Sequence, residues 1–64
     1  MCQIKVFVEQ EGQETLCADE VTTLRVTEDG VEIFTLFEGV QEISGSAIRS
    51  IDFVAGRVLL GPAP

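Results

Sequence analysis

A chain of 64 residues that is 45% hydrophobic allows one small packed domain and excludes disorder. Eleven acidic side chains against four basic ones give a formal net charge of −7, which repels phosphate backbones and anionic headgroups, so nucleic-acid and membrane-surface binding are not expected. A core of this size encloses only roughly 60% of the unfolded surface, and a metal, a disulfide or a partner subunit is expected to support it.

The chain opens "MCQIKVFVEQ". In this first strand Ile4, Val6 and Val8 share one face, and Gln3, Lys5, Phe7 and Glu9 the other, because strand side chains alternate. Cys2 falls on the core parity, which predicts its sulfur at the rim of the interior. Turn residues then recur around Gly12, Gly30, Gly39, Gly45 and Gly56, with short apolar, β-branched segments between them. In "VTTLRVTEDGVEIFTLFEG" two strands flank Asp29-Gly30, a pair suited to a tight hairpin. The strand "VEIFTLF" is apolar on both sides, with Val31, Ile33 and Phe37 on one and Phe34 and Leu36 on the other, and Phe7 raises the same question on the first strand. Either both sides are covered within the domain or a second copy covers one. Residues 45–51 place Ala47, Ile48 and Ile51 at helical spacing and suggest a single turn. The ending "RVLLGPAP" reads as a last strand stopped by Gly61 and Pro62.

Together these elements predict an all-β fold, a single β-barrel domain over residues 1–64, closed or partly open, of about six short antiparallel strands. No export signal and no run of about 18 apolar residues is evident, so a cytoplasmic protein with two reduced cysteines, Cys2 and Cys17, is expected.

Enzymatic readings lack residues. Without histidine, tyrosine or tryptophan there is no Cys-His or Ser-His pair, and the acid pairs Asp19-Glu20 and Glu28-Asp29 fall in turns. No calcium loop, CxxC or HExxH occurs. The amino terminus remains. There Cys2 offers a thiolate beside nitrogen donors, either its own amide and the Met1 amine or, after removal of Met1, its own amine. Nitrogen and sulfur in a flat chelate suit Ni(II) or Cu(II). Copper(II) tends to oxidise an exposed thiol, which favours nickel. One chain cannot fill the plane with two sulfurs unless Cys17 joins, whereas a two-fold dimer can bring both Cys2 residues to one ion. Cys17, in "ETLCADE", reads as a small core or turn residue. On the residues alone, a metal site at Cys2 and a merely structural Cys2 both stay open.

The start "MCQIKVFV", the central "DGVEIFTLFEG" and the closing "IRSIDFVAGRVLL", in that order and spacing, resemble the CooT family of small nickel-binding proteins over nearly the whole chain. The resemblance implies a small β-barrel homodimer, Ni(II) held through the cysteine after the initiator methionine, and nickel delivery for maturation of carbon monoxide dehydrogenase. Cys2 carries over as ligand, with Met1 as a nitrogen donor. Many relatives have a histidine near the last hairpin, where this chain reads "VAGRV". The HypC hydrogenase-maturation chaperones share the size and the second-residue cysteine, and offer the alternative that Cys2 docks a client protein; they continue with a proline, which "MCQIKV" lacks. A small-barrel RNA-binding module is a third reading, opposed by the scatter of Lys5, Arg25, Arg49 and Arg57 among the acids.

Overall fold

The computed structural model describes residues 3–64, and over them the chain forms seven strands and no helix. They are β1 (Lys5–Gln10), β2 (Gln13–Ala18), β3 (Val21–Val26), β4 (Gly30–Thr35), β5 (Gly39–Ser44), β6 (Ser46–Asp52) and β7 (Arg57–Pro62). They pair into two sheets, one in the order β2-β1-β7-β6 and one in the order β3-β4-β5. The all-β class therefore stands, with seven strands in place of about six. One pair departs from the antiparallel expectation: β1 and β7 run parallel, from Lys5 opposite Arg57 to Val8 opposite Leu60. Neither sheet closes on itself. The sheets are joined at two corners, where β2 passes into β3 through Asp19 and Glu20, and β5 into β6 through Gly45. The second corner is tied down by Gly45 N–H to Asp29 C=O at 2.7 Å and Ala63 N–H to Gly45 C=O at 2.9 Å.

The core lies between the sheets. Val6, Val31, Ile33 and Leu60 are fully enclosed, Ala18, Val21 and Val58 nearly so, and Ile4, Val8, Cys17, Leu24, Ile43 and Ile48 pack around them. No polar or charged residue is buried among the described residues, so the interior is held by apolar contact alone. The alternation read in β1 is the observed one: Val6 is enclosed with Ile4 and Val8 beside it.

Several local expectations are corrected. The two-residue hairpin loop is Glu11-Gly12, between Gln10 and its partner Gln13. Its φ values of 53° and 82° put both central residues in the left-handed region that a type I′ turn demands. Gly30 instead belongs to β4, and the loop before it is closed by Thr27 N–H to Gly30 C=O at 2.8 Å and Gly30 N–H to Thr27 Oγ1 at 3.0 Å. A side chain at Gly30 would strike the Ile43 carbonyl of β5, so glycine is required there for close approach and not for its turn angles. β4 ends at Thr35, which releases Leu36 and Phe37 from strand alternation into the following turn.

Residues 46–52 are strand β6, not a helical turn. Ile48 opposes Leu60 and Ser50 opposes Leu59, so Arg49 is an extra, bulged residue. The bulge breaks the two-residue period and imitates helical spacing at Ala47, Ile48 and Ile51. β7 likewise continues through Gly61 and Pro62. Pro62 ends the ladder opposite Ser46, and Gly61 leaves room for the Arg49 side chain.

The outer face of β1 is covered from within the chain. The Arg57 guanidinium lies 4.3 Å from the centroid of the Phe7 ring and bonds the Glu14 carboxylate at 2.9 Å. Phe34 is treated similarly but more loosely by Arg25, 5.8 Å from its ring centroid.

Candidate functional site at the start of β1

The topology gathers the beginning of β1 and three turns at one end of the molecule. β1 starts beside the end of β2 and, being parallel to β7, beside the beginning of β7. The segments 19–20, 36–38 and 53–56 therefore all surround it. A single peptide unit fixes the arrangement: Lys5 N–H donates to Gly56 C=O at 2.9 Å, while Ile4 C=O accepts from Val21 N–H at 3.1 Å. The two groups of a trans peptide point in opposite directions. The 53–56 turn thus flanks the start of β1 on one side and the β3 corner on the other. Leu36 N–H to Glu20 C=O, at 3.0 Å, attaches the β4–β5 turn to that corner.

Gln3, the first described residue, is exposed. Lys5 Nζ bonds Asp19 Oδ2 at 2.9 Å, and Asp19 also accepts from Glu20 N–H at 2.8 Å. These bonds, the Lys5 ammonium first, hold the Asp19 carboxyl below the usual carboxylate range. Among the described residues, Lys5 is thereby committed to Asp19 and its neighbour across the parallel pairing, Arg57, to Glu14, while Glu20 and Glu38 add negative charge around the start of β1.

Both flanking turns are closed by hydrogen bonds and apolar at their tips. In the β6–β7 turn, Asp52 Oδ1 accepts from Val54 N–H at 3.0 Å and Ala55 N–H at 2.9 Å, and Asp52 C=O accepts from Gly56 N–H at 2.9 Å. Phe53 and Val54 are left 84% and 99% exposed. In the β4–β5 turn, Thr35 Oγ1 accepts from Glu38 N–H at 2.9 Å and lies 3.3 Å from Gly39 C=O, to which it donates. Leu36 and Phe37 stand out there. The opposite end, with Glu11-Gly12, Thr27–Asp29 and Gly45, carries no such tip.

The expected ligands Met1 and Cys2 lie outside the described residues. Among the described residues, no group of three or more His, Cys, Asp or Glu is placed to hold a metal ion. Cys17 is a free, half-buried thiol that packs against the core and accepts from Gln41 Nε2 at 3.6 Å. It is the bulged residue of β2, since Val6 opposes Ala18 and Phe7 opposes Leu16. Burial pushes its thiol up from the ordinary cysteine value, the reverse of what a metal-binding thiolate needs. Its side chain lines a groove of about 440 Å³ between β2 and β5, with Val8, Leu16 and Ile43. That is the core-side role read from the sequence. The acid pairs Asp19-Glu20 and Glu28-Asp29 occupy connections, as read. Sequence reasoning missed the exposure of Phe53 and Val54, whose signal was an aspartate followed four residues later by glycine.

A family model described as "CO dehydrogenase accessory protein CooT" matches residues 1–61. The crystal structure of a protein assigned as CooT from Carboxydothermus hydrogenoformans is similar, with a TM-score of 0.83 and 25% identity, covering 98% of this chain and 100% of that one. No curated protein matches the chain.

Proposed function

Because the chain belongs to the CooT family of CO dehydrogenase accessory proteins, we propose that it serves maturation of that nickel enzyme as a carrier of Ni(II), taken up at its amino terminus. It is an accessory protein and not itself an enzyme. The ion, here cargo, is held by the Cys2 thiolate and by terminal nitrogens, from Met1 where that residue is retained. A flat nitrogen and sulfur donor set suits a d⁸ ion. The observation that carries this reading is that no competing site is seen among the described residues: the other thiol, Cys17, packs half-buried against the core with its thiol pushed up by burial, and the described acids form no ligand cluster. That leaves the amino-terminal donors, which precede an exposed Gln3 at a well-anchored end of the molecule.

Two copies complete the plane. Each chain contributes one suitable thiolate, so a two-fold homodimer supplies the pair, and the exposed Leu36, Phe37 and Val40 offer the apolar surface for the second copy. The test is native mass spectrometry with a nickel titration. The proposal requires one ion per two chains and release of protons on uptake, with affinity rising with pH as thiolates form. One ion per monomer, or uptake indifferent to pH, would contradict it. The protein is read as cytoplasmic; no described helix is long and apolar enough to cross a membrane.

A further inference from the structure

We propose that the Phe53-Val54 turn is the docking knob by which this protein seats on nickel-free CO dehydrogenase, entering an apolar pocket rimmed by basic side chains. The proposal rests on the accessory role above and adds the surface that performs it. Three observations carry it. Among the described residues Val54 and Phe53 are the most exposed of the large apolar side chains, and they are adjacent. They are also held still, because Asp52 fixes the turn with three hydrogen bonds. A preorganised aromatic knob loses little freedom on binding, which is what distinguishes an anchor from an incidental exposed residue. Finally, the turn is packed on Gln3, the first described residue: a Cβ on Gly56 would come within 2.7 Å of its carbonyl oxygen. Whatever grips the knob is thereby brought alongside residue 3 and the donors that precede it.

Charge indicates the rim of the pocket. Each chain carries −7, and at this end Lys5 is committed to Asp19 and Arg57 to Glu14. A partner with lysine or arginine around an apolar pocket complements that field. The concavity beside the knob is small and lined mostly by polar groups, Glu14, Ser50, Asp52 and Arg57 with Val58 and Leu59. More apolar concavities, one at Leu16 and Ile43 and one at Ile48, Arg49 and Pro62, lie on other parts of the surface, and seating of the knob in a second copy is what self-association in the experiment below would reveal.

The experiment titrates the purified protein into CO dehydrogenase prepared without nickel, by calorimetry at low and raised ionic strength. The double variant Phe53→Asp/Val54→Asp is compared with wild type, and the uncharged Phe53→Ser/Val54→Ser guards against an effect of charge alone. Nickel uptake and thermal melting of each chain are measured beside it. Wild type is expected to bind, more weakly as salt rises, and both variants to lose more than about tenfold in affinity while melting and taking up nickel as wild type does. Unchanged binding by the variants, no binding by wild type, loss of nickel uptake in the variants, or self-association of wild type that the variants abolish would each overturn the proposal. Wild type that docks in a knob-dependent way yet takes up no nickel would remove the carrier reading and leave the knob standing.

Discussion

Gly56 lies against the carbonyl of Gln3 so closely that a β-carbon would approach its oxygen to 2.7 Å, and it does so with a φ of 71°. The β6–β7 turn and the Gln3–Ile4 segment are therefore one packed unit. Gly56→Ala meets both the contact and the left-handed backbone, and is expected to cost more than about 1 kcal/mol. Thermal melting checks this, with a fall in Tm of about 4–8 °C per kcal/mol for a domain of this size. An unchanged melting temperature would show that the turn and the chain start are not coupled.

Arg57 does two jobs, covering the Phe7 ring and pairing with Glu14. Arg57→Ala is expected to destabilise by about 1–2 kcal/mol in urea unfolding, since it uncovers an aromatic face as well as losing a half-exposed ion pair. Raised salt should shrink only the ion-pair part. Glu14→Gln is therefore expected to cost less than Arg57→Ala, and a loss as large would assign the stabilisation to the pair and not to the ring.

The Asp19 carboxyl sits below its ordinary range because Lys5 and the Glu20 amide favour its charged form. A group whose folded value is depressed contributes stability above its unfolded value, about 3.9, and loses it as pH falls through the folded one. The stability difference between wild type and Asp19→Asn should be constant from neutrality to about pH 5 and fade below that. Urea unfolding across this range checks the sign. A difference that grows on acidification would reverse it.

The alternation at Ile4, Val6 and Val8 and at Val31 and Ile33 was legible, because an enclosed sheet face leaves a two-residue period in the chain. What escaped was wherever that period breaks. Arg49 is bulged, so Ala47, Ile48 and Ile51 imitate a helix. Glu11 takes a left-handed turn position that glutamate does not advertise. The cover over Phe7 comes from Arg57, remote in sequence and adjacent only through a parallel pairing that local patterns do not encode. Of the candidate site, the apolar turns beside the start of β1 were not legible, since hydrophobic residues in "FTLFEG" and "IDFVAG" look like strand interior until the strands are seen to end at Thr35 and Asp52.

Gly30 is enclosed against the backbone of β5, and Ile33 is fully buried two residues from Val31 on the same face. Ile33→Ala is expected to cost about 2–5 kcal/mol, a large fraction of what so small a core supplies. Far-ultraviolet circular dichroism at room temperature should show the variant substantially unfolded, with addition of nickel restoring strand signal if the ion binds only the folded chain. A cooperative wild-type melt from this variant would mean the sheets are held by something other than the enclosed face.

Nickel titration followed by thiolate-to-metal absorption, on wild type, Cys2→Ser and Cys17→Ser, addresses the carrier reading most directly. Wild type and Cys17→Ser are expected to develop the same band with the same endpoint, and Cys2→Ser none. A Cys2→Ser protein that still takes up nickel with the wild-type band would contradict the account.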